Sequence, residues 1–182
     1  QRLLWALSLL AGSAMAADFP DPATDIKPTS TKQTVVLAGG CFWCVEAVFE
    51  HVEGITDAVS GYAGDTKEKA KYDIVSTGRT NHAEAVLLTF DSSVISYGQV
   101  LKIFFSVAHD PTTLNRQGAD VGPQYRSAIF YHSEAQRQTA ERVKAEARQR
   151  LGEARQMGVI GDTDDFVQYE LGVGDGSLVA RH

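Results

Sequence analysis

Thr34-Val35-Val36-Leu37-Ala38-Gly39-Gly40-Cys41-Phe42-Trp43-Cys44-Val45-Glu46 is the stretch on which the fold turns. An apolar, β-rich run ends at two glycines, and Val45, Val48, Phe49 and Val52 then recur at helical spacing. The pattern predicts strand, tight turn, helix. Cys41 therefore stands at a helix start, where unpaired backbone N–H groups and the positive end of the dipole favour an anion. Such a position suits a thiolate.

Further signals follow downstream. Ala85 to Phe90 reads as a second buried strand, and Ser96-Tyr97-Gly98-Gln99 has the form of a capping box. A helix is expected after it, with Val100, Ile103, Phe104 and Val107 on one face and His109-Asp110-Pro111 at its end. Residues 112–124, rich in Gly, Asn, Asp and Pro, read as a long ordered loop of the functional kind. Ser127 to Tyr131 is another strand. Ser133-Glu134-Ala135-Gln136 offers a second capping box, opening a charged surface helix to about Arg150. Strands and helices interleave, but the strand spacing is uneven, which favours α+β with a mixed sheet over a regular doubly wound fold.

With 182 residues and 43% apolar composition, the chain can bury one sizeable core but not two, so a single domain is expected. Seventeen basic against twenty-three acidic residues give a net charge of -6 with no Lys/Arg cluster, which argues against a nucleic-acid partner. Arg2, the apolar run Leu3 to Ala11 and the small-x-small Ala14-Met15-Ala16 read as a secretory signal peptide over residues 1–16. The run is too short for a stable membrane span. Residues 17–31, with Pro20, Pro22 and Pro28, read as a disordered or extended linker, and folding should start near Lys32. An exported, periplasmic monomer without stable membrane insertion is the expectation.

Cys41 and Cys44 are the two cysteines of the chain, too few for a disulfide scaffold. A structural zinc would need further ligands at matching spacing, and none stand nearby. A thioredoxin-like dithiol fits the strand-to-helix position, although the bulky Phe42-Trp43 pair between the cysteines points to an apolar pocket instead. Two buried structural cysteines among core aromatics are the plain alternative.

A series of short blocks runs through the chain in one order: Gly-Gly-Cys-Phe-Trp with Val45-Glu46, then Ser60-Gly61-Tyr62, His82-Ala83-Glu84-Ala85-Val86, His109-Asp110-Pro111, Arg116-Gln117-Gly118 and Gln124-Tyr125-Arg126-Ser127. The series resembles the A-type peptide methionine sulfoxide reductases over about Val35 to Glu146. The resemblance implies a mixed-sheet α/β sandwich with a ferredoxin-like core, and thiol-dependent reduction of methionine S-sulfoxide, free or in proteins. It implies no metal or organic cofactor, but an external dithiol such as thioredoxin or an equivalent.

Carried onto this chain, the resemblance makes Cys41 the nucleophile, and Phe42 with Trp43 the pocket for the substrate methyl group. Glu84 becomes the acid at the sulfoxide oxygen, for which burial must raise its pKa. Tyr72 and Tyr125 become hydroxyl donors to that oxygen, Asp120 orients substrate or water, and His82 supports the site without joining the chemistry. Attack leaves Cys41 as a sulfenic acid, which condenses readily with a nearby thiol. Cys44 is the candidate resolving cysteine, where many relatives carry Gly. Asn81 replaces a Gly of the family and would strain a turn if that position needs positive φ. After about Arg150 the family's Pro-containing and aromatic-acidic segments find no counterpart, so residues 151–182 read as a divergent tail, with no role transferred to Tyr169.

Overall fold

The structure, a computed structural model, describes residues 25–151, 158–161 and 166–169. The predicted signal peptide lies outside these residues. The opening stretch folds as read: β1 (Lys32–Gly39) leads through Gly40 and Cys41 into α1 (Phe42–Phe49). Val35, Val36, Leu37 and Ala38 are all fully buried, because β1 lies mid-sheet with antiparallel neighbours on both sides. A strand covered on both faces reads as continuous apolar sequence rather than as alternation. Alternate residues of β1 enter two clusters: Val35 and Leu37 pack with Phe42, Phe49, Leu88 and Phe104, and Val36 and Ala38 with Ala85, Ala128 and Phe130.

The remaining elements are β2 (Ile55–Ala63), α2 (Tyr72–Val75), β3 (Ala83–Asp91), α3 (Tyr97–Ile103), the hairpin β4 (Arg116–Gln117) and β5 (Asp120–Val121), β6 (Ser127–Tyr131), α4 (Glu134–Leu151), β7 (Gly158–Gly161) and β8 (Val167–Gln168). The main sheet has the order β7-β6-β1-β3-β2-β8. Its central four strands, β6-β1-β3-β2, are antiparallel and joined in the ferredoxin-like manner, while β7 adds parallel to β6, so the sheet is mixed. The expected α+β class holds. No helix among the described residues is long and apolar enough to cross a membrane.

Several local expectations are refined. Ser96 and Gln99 form the reciprocal capping box of α3. In the second predicted box, Ser133 does accept from the Gln136 N–H (3.2 Å), but the Gln136 side chain accepts from His132 N–H and donates to Thr34 O, tying α4 to β1 instead. Val107 does not share the buried face of α3. The helix widens into a π-helical stretch over Phe104–Ala108, whose extra residue per turn rotates Val107 outward to 66% exposure. Asn81 carries no left-handed strain, since Asn115 is the one non-glycine residue with positive φ among those described. Part of the expected linker is docked: both carboxylate oxygens of Asp25 accept from the Gly98 N–H in the first turn of α3, and Ile26 packs on the core.

The chain after Arg150, expected to be a divergent tail without counterpart in the family, contributes two strands to the sheet. Gly158–Gly161 pairs with β6, Val167–Gln168 pairs with Gly61 and Tyr62 of β2, and the Tyr169 N–H donates to Ser60 O at 2.8 Å. Both edges of the sheet are thus built from residues beyond the expected boundary.

Candidate active site

Cys41 is the residue that caps α1. Its carbonyl accepts from the N–H groups of Cys44 (3.1 Å) and Val45 (3.2 Å), and the first helical N–H, of Phe42, is satisfied by the Glu84 carboxylate at 3.2 Å. A carboxyl from β3 thus sits at the positive end of α1, beside the cysteine. The turn that delivers Cys41 depends on Gly40, whose φ is +99° and whose missing Cβ would lie 2.3 Å from Gln117 Cγ. That contact seats the β4–β5 hairpin, and with it Asp120, against the cysteine turn.

Cys41 is partly buried and Cys44 exposed, both as free thiols. Burial pushes the Cys41 thiol above its ordinary range, and the bonded neighbouring thiol of Cys44 adds to this. The N–H groups of Cys44 and Trp43 pull the other way without prevailing. Desolvation thus opposes the thiolate that the helix start favours.

Glu84 is 4% exposed. Burial raises its pKa to about 7, opposed by the Phe42 N–H and reinforced by the charge of Asp120. A carboxylic acid that is protonated in part at neutral pH is what proton donation requires. The Tyr125 hydroxyl is also held above its ordinary range, by burial first and then by Glu84, Asp120, Tyr72 and Cys41. Those groups come from β3, the β4–β5 hairpin, α2 and the cysteine turn, and all act on the one phenol.

The aromatic residues form a box. Phe42 is buried, with ring centroids 5.2 Å from Trp43 and 5.6 Å from Tyr62; Trp43 is half exposed and stacks on Tyr72 at 6.2 Å. Tyr169 closes it, at 5.3 Å from Phe42, 6.1 Å from Trp43, 6.1 Å from Tyr62 and 6.0 Å from Tyr72. This is the residue that sequence reasoning set aside. His82, fully buried, meets Thr66 O through Nε2 at 3.1 Å and supports the entry to β3. Hydrogen bonds and ring contacts bring together Cys41, Cys44, Phe42, Trp43, Tyr72 and Glu84, the charge of Asp120 reaches Glu84 and Tyr125, and Tyr62 and Tyr169 join the rings. Among the described residues, no cluster of three or more His, Cys, Asp or Glu is placed to hold a metal ion.

A cysteine at a helix start, a buried acid against the same turn and an apolar aromatic box are the parts that a thiol-dependent reductase acting on an apolar side chain needs. The family model for peptide methionine sulfoxide reductase matches residues 33–170, and the chain belongs to that family. It is 49% identical over 143 residues to peptide methionine sulfoxide reductase MsrA 2 of Synechocystis, covering 74% of this chain and 67% of the relative. It is 53% identical over 117 residues to MsrA 2 of Mesorhizobium japonicum, covering 64% and 60%. The crystal structure of Mxr1 from Saccharomyces cerevisiae in reduced form is similar at a TM-score of 0.72 and 30% identity, covering 82% of this chain and 86% of that one. The same yeast protein in complex with Trx2 shares the fold, with a TM-score of 0.52 at 22% identity, covering 82% and 88%. The family match runs to residue 170 and so takes in β7, β8 and Tyr169.

Proposed function

We propose that this protein reduces methionine S-sulfoxide to methionine in two thiol steps, with Cys41 as nucleophile and Cys44 as resolving thiol. The observation that carries the reading is the contact of Glu84 with the first N–H of the helix that Cys41 caps. The substrate methyl group enters the box of Phe42, Trp43 and Tyr169, and the S=O group turns toward Glu84, Tyr72 and Tyr125. Glu84 gives its proton to the oxygen, which makes the sulfur electrophilic, and the Cys41 sulfur attacks as its own proton passes to the Glu84 carboxylate. The S–O bond breaks, methionine leaves, and Cys41 carries the oxygen as a sulfenic acid. Asp120 raises the pKa of Glu84 and so favours the protonated form that the first step needs.

Cys44 then attacks the Cys41 sulfur, the S–O bond of the sulfenic acid breaks, and water leaves as the disulfide forms. The Cys44 N–H donates to the Cys41 carbonyl at 3.1 Å, so both thiols stand on one turn. Cβ atoms three residues apart on a helix are about 5–6 Å apart, and the turn must tighten by about 1–2 Å for the disulfide to close. The exposed position of Cys44 leaves the disulfide open to an external dithiol. A thioredoxin-like protein is the reductant we assign, as Trx2 is a partner of yeast Mxr1. Export to the periplasm, supported by Arg2, the apolar run and Ala14-Met15-Ala16, would make that reductant a periplasmic one.

Separated R and S methionine sulfoxides, offered with dithiothreitol to the wild type and Cys41→Ser, test the reading. S-selective reduction that vanishes in Cys41→Ser is expected. Reduction of protein disulfides with neither sulfoxide consumed would make this a dithiol-disulfide oxidoreductase instead. Cys44→Ser should lose turnover with thioredoxin, and unchanged turnover would remove Cys44 from the cycle.

A further inference from the structure

Arg126 follows Tyr125 directly, but its side chain serves a different strand. Nη1 donates to Pro123 O (3.0 Å) in the turn that presents Tyr125, and to His82 O (3.1 Å); Nη2 donates to Asn81 O (2.7 Å). Asn81 and His82 lead straight into β3 and Glu84. One guanidinium thus ties the turn that carries the phenol to the chain entering the strand that carries the acid. It does so at a cost: the group is half-buried, its acceptors in these bonds are neutral carbonyls, and burial lowers its pKa from the ordinary value.

The neighbourhood is shaped to admit that fork. Gly64 has φ +102°, and a Cβ there would stand 2.9 Å from Arg126 Nη2 and 3.0 Å from Asn81 O. A planar guanidinium can serve two segments at fixed angles; a lysine ammonium, as a single point, cannot keep both Asn81 O and Pro123 O in place. Glu84 owes its raised pKa to burial and Asp120, not to Arg126, so Arg126 acts here through geometry rather than through charge on the acid.

From this we infer that Arg126 is a positioning residue for sulfoxide reduction, setting the Tyr125 hydroxyl relative to the Glu84 carboxyl. The inference rests on the role given above to Tyr125. Donors that stabilise a developing charge lose much of their effect when displaced by about 1 Å. The effect of Arg126 must then pass through the Tyr125 hydroxyl, whereas a merely structural role would act independently of it.

A double-mutant cycle on the first step tests this, following methionine formed in a single turnover of the full-length protein at saturating methionine S-sulfoxide. Arg126→Lys should slow the step about tenfold with KM little changed, and Tyr125→Phe should slow it similarly. The double variant should be no more than about twofold slower than Tyr125→Phe alone. A wild-type rate in Arg126→Lys beside a slow Tyr125→Phe would overturn the inference and leave the active-site reading intact, as would effects that multiply. A wild-type rate in Tyr125→Phe would instead remove the role of Tyr125 and the inference with it. If Arg126→Lys does not fold, Gly64→Ala, which presses on the same Nη2, takes its place in the cycle with the same expected outcomes.

Discussion

The corner of β1 and α1 and the edge strand β8 reach the same aromatic box from opposite directions. At the corner, a long buried strand, a glycine turn and an amphipathic helix each declare themselves, and Cys41 is delivered by backbone geometry. At the edge, two residues pair with β2 and one phenol, Tyr169, joins four other rings. Chemistry is set by the corner, and closure of the pocket by the edge. A site can therefore depend on a segment whose sequence shows almost nothing, provided the rest of the fold offers it a seat.

The largest expected effect belongs to the corner. Glu84→Gln keeps the shape and the acceptor for Phe42 N–H but removes the proton, and single-turnover sulfoxide reduction should fall about 10²–10³-fold. The same change should stabilise the fold at high pH. The folded pKa of about 7 lies above the ordinary carboxylate value near 4.5, so the stability present below pH 4.5 is lost as pH rises through 7. Glu84→Gln should therefore be more stable than wild type by about 1–2 kcal/mol at pH 8, allowing for the water that still reaches the group, and equal to it at pH 4. Urea unfolding at both pH values reads the difference, and equal stability at pH 8 would contradict the burial of an ionising carboxyl.

At the edge, Tyr169→Ala should raise KM for methionine sulfoxide about tenfold while leaving the fold of the corner intact, and Tyr169→Phe should retain most of the binding if the ring is what matters. A KM unchanged in Tyr169→Ala would detach the edge from substrate binding. Away from both regions, His109 affects stability alone and should leave sulfoxide reduction unchanged. It is half-buried and stacked on Phe104 with ring centroids 4.0 Å apart, its Nδ1–H donates to Phe104 O at 2.8 Å, and desolvation lowers its pKa to about 4. Stability it contributes is full above pH 6.5 and lost as pH falls toward 4, up to about 3 kcal/mol. Thermal melts from pH 7 to 4 should show this loss in wild type and less of it in His109→Gln.

The contrast between corner and edge also explains what could be read from sequence. β1, β3 and β6 were legible because buried central strands are unbroken apolar runs, and the capping box of α3 because its two polar partners are local. β2 was not, since Thr56, Asp57 and Ser60 interrupt it, its first half is exposed, and a register shift lies between Ile55 and Asp57. The π-helical exit of α3 left no periodic signal to distinguish it from ordinary helix, so Val107 was placed on the wrong face. Cys41, Glu84 and Tyr125 were named from the motif blocks, and Tyr72 and Asp120 from their offsets to Glu84 and Tyr125 under the family resemblance, whereas spacing alone says little about groups carried by five different segments. Tyr169 could have been suspected only from its aromatic character in Asp165-Phe166-Val167-Gln168-Tyr169, too weak a signal without the strand that seats it. For Cys41 the sequence shows the helix end that favours a thiolate but not the burial that opposes it.

One measurement reaches the centre of the account. The fully reduced protein is mixed with methionine S-sulfoxide in the absence of any reductant, and methionine release is compared with the state of both cysteines by mass mapping. One methionine per chain is expected, with Cys41 and Cys44 joined in a disulfide and, in Cys44→Ser, a trappable sulfenic acid on Cys41. Methionine formed while the Cys41 thiol remains free would contradict it.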